Sequence, residues 1–156
     1  MENRKYINLA YKEALKAYSK NEVPVGCVIV KDGVVIAKAY NKRETKKNVL
    51  CHAEIIAINK ACKKLGEKFL DGCELYVTLE PCIMCIGAII QARIKKVVYG
   101  ASEPKFGCLE SLGNVLNDYK FNHNLEVISG IEKDKISEMM KLFFKQLRES
   151  KKINNK

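Results

Sequence analysis

The fold class the sequence predicts is an α/β domain, with helices covering both faces of one mixed sheet. Three observations predict it. Segments with apolar residues at helical spacing alternate with short, apolar, β-rich runs. Asp32-Gly33, a strong hairpin turn signal, stands between the first two of those runs. The later runs are separated by helical segments, the kind of connection that parallel strands need.

The elements follow in order along the chain. Tyr6, Leu9, Ala10, Ala14 and Ala17 recur at near-helical spacing, which predicts an amphipathic helix over 3–20, ended by Pro24. Val25–Val30 and Val34–Tyr40 are the two arms of the hairpin. Residues 52–65 return to helical spacing and stop near Gly66. Leu75–Leu79 is a third apolar strand, and after Glu80-Pro81 a helix runs from about Cys82 to Ala92, because proline suits a first helical turn. Lys96–Tyr99 is a fourth strand, Leu125–Ile128 a fifth, and 132–149 a final amphipathic helix. No internal repeat or low-complexity linker interrupts this order. The expectation is a single domain over 1–149 and a basic, disordered tail over 150–156.

Composition narrows the class. The chain has 156 residues, and a hydrophobic fraction of 47% is ample for a core without structural disulfides. The N-terminal residues hold no apolar run of the secretory kind, and stretches such as Val23–Val30 and Ile83–Ile90 are too short to span a bilayer. A soluble, cytoplasmic protein with no membrane partner is expected. Seven cysteines, an odd number, argue against a disulfide framework and for reduced thiols with a metal site among them. Cys27, Cys62, Cys73 and Cys108 read as small buried hydrophobes. A balance of 28 basic against 18 acidic side chains leaves +10, which suits a polyanionic partner or plain solubility equally well.

Two short segments carry the chemistry: Cys51-His52-Ala53-Glu54 and Pro81-Cys82-Ile83-Met84-Cys85. A Cys-x-x-Cys pair at a helix start presents both thiols near the positive helix end, which favours the zinc-binding thiolate. His52 at the start of another helix is the third candidate ligand, and no second Cys-x-x-Cys pair exists to complete a four-thiolate structural site. Three protein ligands leave a fourth tetrahedral position for water, as in a catalytic zinc site. Glu54 lies two residues beyond His52, near the metal and free to move protons. Zinc brings the pKa of bound water to about 7, and a neighbouring carboxylate can pass its proton to a leaving group. Deamination of an aromatic ring carbon needs that order of events: attack by hydroxide, protonation of the ring nitrogen, departure of ammonia. The Cys-x-x-Cys alone would also serve as a redox pair, and Cys51 is a rival ligand beside His52.

At these residues the chain resembles the cytidine and deoxycytidylate deaminase superfamily, and most closely its bacterial branch acting on tRNA adenosine. The resemblance runs from Glu22-Val23-Pro24-Val25-Gly26 to Phe143-Phe144-Lys145-Gln146-Leu147-Arg148. It passes through Ala39-Tyr40-Asn41, Tyr76-Val77-Thr78-Leu79-Glu80-Pro81-Cys82 and Phe121-Asn122-His123. The zinc motif identifies the superfamily; the flanking segments favour the tRNA branch. The resemblance implies a three-layer α/β/α cytidine deaminase-like fold with a mixed five-stranded sheet. It implies hydrolysis of adenosine to inosine at the wobble position of a tRNA anticodon, by a homodimer holding one zinc ion per chain. His52, Cys82 and Cys85 match the zinc ligands and Glu54 the proton shuttle. Asn41 matches a polar contact to the flipped-out base, and Ala53 a position whose backbone amide approaches it. Lys105 and Phe144 match regions lining the groove for the anticodon stem-loop. Glu103, where Asp is expected, Phe106, where a small residue is common, and Cys51, where Ala is common, depart from the pattern.

Each of these residues also has an ordinary structural reading. Asn41 is a common turn residue at a strand end. His123 in Phe-Asn-His-Asn reads as a loop hydrogen-bonder, Phe143 and Phe144 as residues of which one is core, and Lys105 as an exposed lysine. Arg93 and Lys95-Lys96 read as favourable charges at a helix end. Two other functions fit parts of the pattern: a deaminase of free guanine, cytosine or their nucleosides, and a non-catalytic zinc-binding RNA module. The second has no use for Glu54.

Overall fold

Asp32 and Gly33 both have positive φ, 50° and 74°, as a two-residue hairpin turn of the favoured kind requires. They join β1 (Gly26–Lys31) to β2 (Val34–Tyr40) in antiparallel register, from Lys31↔Val34 to Gly26↔Tyr40, with one irregularity between Ile29 and Val30. The computed structural model describes residues 2–154. On its other side β1 pairs antiparallel with β3 (Cys73–Leu79). Beyond β3 the sheet turns parallel through β4 (Lys96–Ala101) and β5 (Glu126–Ile128), giving the order β2-β1-β3-β4-β5. The mixed five-stranded sheet expected from the sequence is thus present.

Helices seal both faces. Strand β1 is buried on each side: Cys27 and Ile29 face one core, Val28 and Val30 the other. The first core packs Ala53, Ala57 and Ala61 of α2 (Ala53–Leu65) and Ile86 and Ile89 of α3 (Ile83–Gln91) against Leu75, Val77 and Val97. The second packs Ile7, Ala10 and Ala14 of α1 (Glu2–Ser19) and Ile136, Met139 and Met140 of the last helix against Tyr76 and Val98. Contact between α1 and β1 is close enough that a Cβ on Gly26 would stand 1.9 Å from the Ala10 carbonyl oxygen. The three-layer architecture follows from these two cores.

Element ends differ from the sequence reading in ways with local causes. Helix α1 stops at Ser19, before Pro24, because Asn21 adopts φ 59° and the Glu22 N–H closes onto the Ala17 carbonyl. Helix α2 ends as expected at Gly66, whose φ of 67° is the left-handed cap that glycine tolerates. A four-residue helix, α4 (Val115–Asp118), was not legible as a helical period; the Asn114 side chain accepts its Leu116 N–H and starts it. The last helix, α5 (Lys133–Asn154), continues five residues past the element read over 132–149, where no Gly or Pro stands to stop it. Residues 155 and 156, part of the segment expected to form a tail, lie outside the described residues.

Candidate metal centre and its walls

The site is built where two helices begin. Strand β2 ends at Tyr40, and the chain returns through a loop closed by the Lys42 N–H donating to the Cys51 carbonyl at 3.0 Å. His52 follows as the N-cap of α2, with extended backbone (φ −72°, ψ 152°) and no capping bond from its ring. Cys82 occupies the same position on α3 (φ −79°, ψ 174°), after Glu80-Pro81 has turned the chain out of β3. The two caps therefore converge, with Cys85 in the first turn of α3 behind them.

His52 Nδ1 lies 3.7 Å from Cys82 Sγ and 3.6 Å from Cys85 Sγ. The three ligand atoms all fall within 4.8 Å of one another. Zinc bonds of about 2.0–2.1 Å to nitrogen and 2.3 Å to sulfur put tetrahedral ligands about 3.6 Å apart. The donor set and its spacing thus fit a zinc ion. Among the described residues no other His, Cys, Asp or Glu joins this group, so Cys51, the rival ligand, stands outside it. All seven thiols are free; Cys27 and Cys73 are buried as expected, while Cys62 and Cys108 are half-buried.

Hydrogen bonds couple these three groups. A hydrogen bond from the Cys85 thiol, helped by His52 and opposed by burial, pulls Cys82 down to about 4. Cys85, the donor in that bond and itself buried near Glu54, is pushed far up. The bond with Cys82 also raises His52, against its burial. Glu54, only 4% exposed in the first turn of α2, is raised above the usual carboxylate range by burial. A dication bound here would displace these protons, since zinc takes thiolate and neutral imidazole.

The structure places the remaining candidates around this centre to different degrees. Ala53 is fully buried as the first residue of α2, where a helix leaves its backbone N–H without an intrahelical partner. Asn41 is 7% exposed; its Nδ2 donates to the Val23 carbonyl at 3.2 Å and its Oδ1 accepts from the Arg43 N–H at 3.1 Å. That is the turn bonding expected of an Asn, and one amide hydrogen and one lone pair remain for a ligand. Lys105 is exposed in the loop between β4 and α4, and its N–H donates to Glu103 Oε1 at 3.0 Å. Phe143 is core, whereas Phe144 is 37% exposed and packs edge-on against it. His123 Nε2 bonds the Ile94 carbonyl at 2.6 Å, the loop role expected. Arg93 ends α3 in a left-handed conformation and lays its guanidinium 3.7 Å from the Phe69 ring centroid. A cavity of about 780 Å³ lined by Asn114, Tyr119, Phe121 and His123 includes none of the proposed metal ligands, nor Glu54, Asn41, Ala53, Lys105 or Phe144.

Sequence reasoning missed two buried carboxylates that anchor loops. Glu22, fully buried, accepts the Glu44 and Thr45 N–H groups and holds the loop between β2 and α2. Glu80, 3% exposed, accepts from residues 103, 109, 110 and 111 of the loop between β4 and α4. Their one signal was an acidic residue set beside an apolar strand and a proline.

Comparison with known proteins shows the family. The family described as MafB19-like deaminase matches residues 1–148. The chain is 48% identical over 151 residues to a tRNA-specific adenosine deaminase of Bacillus subtilis, covering 97% of this chain and 94% of that protein. It is similar, at TM-score 0.82 and 43% identity over 86% of this chain and 97% of the other, to a structure from studies of A-to-I editing by tRNA:A34 deaminases at the wobble position of transfer RNA. Guanine deaminase of Bacillus subtilis is a more partial neighbour: TM-score 0.60, 44% identity, 63% of each chain.

Proposed function

This chain belongs to the MafB19-like deaminase family, among the tRNA-specific adenosine deaminases, and we propose that it hydrolyses adenosine to inosine at the wobble position of a tRNA anticodon. The observation that carries the chemistry is the convergence of His52 Nδ1 with the Cys82 and Cys85 sulfurs beside a buried Glu54. His52, Cys82 and Cys85 would hold one zinc per chain, which supplies a Lewis acid that makes water nucleophilic near neutral pH. Glu54, shielded from bulk solvent, takes one proton from the attacking water and gives it to the ring nitrogen, then moves the remaining hydroxyl proton to the amino group, which leaves as ammonia while the ring carbonyl forms. The first-turn N–H at Ala53 and the spare amide hydrogen of Asn41 orient the base.

RNA as substrate is supported by the near full-length similarity to tRNA deaminases and by the +10 charge. An anticodon loop already presents unstacked bases, so extracting one costs little. Lys105 and Phe144, both exposed, contribute a phosphate contact and an apolar wall. The protein acts in the cytoplasm, as seven free thiols favour, and as a homodimer. Exposed Ile83, Phe106 and Leu112, gathered around the backbone bridge between Cys82 and Gly107, offer the apolar surface for a second copy. No described helix is long and apolar enough to cross a membrane.

The deciding experiment incubates zinc-loaded protein with an anticodon stem-loop bearing wobble adenosine and, separately, with free guanine, cytosine and their nucleosides. Inosine in the stem-loop, with binding that weakens steeply as salt rises, is the expected result. Conversion of the free bases alone would transfer the assignment to the runner-up, which the guanine deaminase neighbour represents.

A further inference from the structure

We propose that Glu80 is a positioning residue for RNA: its buried carboxylate sets where the loop over 102–114 stands relative to Cys82. The inference rests on the tRNA reading above and adds a residue that reading does not use. Glu80 Oε1 accepts the Glu103 N–H at 3.0 Å and the Ser111 hydroxyl. Oε2 accepts the N–H groups of Leu109, Glu110 and Ser111 at 3.0, 2.8 and 3.0 Å. One carboxylate thus gathers five donors from both ends of a loop that crosses the edge of the metal centre.

The charge is the informative part. Glu80 is 3% exposed and makes no ion pair among the described residues, so hydrogen bonds alone compensate its burial. A buried anion without a cation tolerates no missing donor, which makes the loop position nearly unique. The loop is also built to admit the carboxylate: a Cβ on Gly107 would come within 2.3 Å of Glu80 Oε1. Gly107 bridges to Cys82, and the Cys108 N–H donates to the Pro81 carbonyl at 3.0 Å. The three-residue stretch Glu80-Pro81-Cys82 therefore carries a proposed zinc ligand and the anchor of the loop presenting Lys105 and Phe106.

Glutamine at position 80 separates these duties. Its amide oxygen still accepts the three N–H groups of 109–111, while its NH₂ faces the Glu103 N–H, donor against donor. The Glu103 end of the loop is released and the rest stays. With the wobble-adenosine stem-loop, Glu80→Gln is expected to raise KM about tenfold while kcat stays within about threefold, because RNA is misplaced and the chemistry is untouched. Zinc content stays at one per chain, and the dissociation constant for the inosine-containing product stem-loop rises in parallel. A merely structural role would instead lower zinc content and kcat together, and either that result or an unchanged KM would overturn the proposal. In the wild-type protein, amide exchange at Glu103, Leu109, Glu110 and Ser111 is expected to be slow; fast exchange there overturns the proposal whatever the substrate proves to be. Should Glu80→Gln not fold, Ser111→Ala removes one donor and no charge, with an expected KM rise of about threefold. Wild-type protein inactive on the stem-loop defeats the tRNA reading, and the exchange measurement still decides whether Glu80 anchors the loop.

Discussion

Nδ1 of His52 and Sγ of Cys82 lie 3.7 Å apart although each residue caps a different helix, separated by 30 positions in the chain. A short contact between two N-caps brings two positive helix ends to one point, an arrangement that attracts thiolates and anions more than it attracts a bare cation. A cation would be accepted there only once thiolate charge offsets the two helix ends. Replacing Cys82 or Cys85 by Ala is expected to cut bound zinc from one per chain to less than about a tenth, and Cys51→Ala to leave it unchanged. Metal analysis of dialysed protein checks both; full zinc in Cys85→Ala would refute the ligand set.

Glu54→Gln keeps the shape and the burial but cannot carry a proton. Turnover is expected to fall by about 10²–10⁴ while zinc content and melting temperature are retained. The comparison is made on one preparation, with inosine formation and metal measured together. Activity within a factor of a few of wild type would show that another group moves the proton.

Glu22 gives a pH signature away from the metal. Burial raises its pKa, but the Thr45 side chain and the Thr45 and Glu44 N–H groups outweigh burial and leave it lowered. A depressed folded-state value means stability present above the unfolded value, about 4.3, and lost as pH falls through the folded one. Glu22→Ala is expected to cost about 1–3 kcal/mol at pH 7, where two loop N–H groups lose their acceptor. The gap between variant and wild type then narrows below about pH 4. Urea melts across that range test it; a gap that widens in acid has the wrong sign.

Gly26→Ala tests the packing of α1 on the sheet. The added methyl group would stand 1.9 Å from the Ala10 carbonyl oxygen and 2.5 Å from the Ala14 nitrogen, both backbone atoms that cannot swing away. A loss of about 3 kcal/mol or more is expected. Gly87→Ala is the control, since nothing lies within 4 Å of a Cβ there and alanine favours a helix. Equal melting temperatures for the two variants would contradict the described contact.

Local signals in the chain were legible wherever a few neighbouring residues decide the outcome. Asp32-Gly33 specifies its hairpin because both φ values must be positive, and Gly66 ends α2 for the same reason. The candidate metal ligands were legible as two short motifs at helix starts whose order and separation match a known signature, while their convergence depends on packing between elements 30 positions apart. What sequence hid depends on partners far along the chain. Glu22 serves a loop more than twenty positions away and Glu80 a loop 23 to 31 positions away, and neither spacing leaves a periodic trace. Helix α4 is one turn started by a side-chain cap, too short to show a period. Asn41 was legible as a turn former; whether its spare amide hydrogen meets a base depends on a ligand outside the chain.

The Tyr18 hydroxyl bonds Gln146 and the Tyr18 ring packs on Phe143, so the end of α1 marks the last place where α5 rests on the protein. Eight further residues, 147–154, follow, and all but the half-buried Leu147 are exposed. No burial underwrites these two turns; only intrinsic propensity holds them, and a segment of that length is marginal by itself in water. They can unwind and rewind at small free-energy cost, carrying Arg148, Lys151 and Lys152 with them. The terminal helix thus carries three cations on a stretch whose reach can change without disturbing the sheet beneath it.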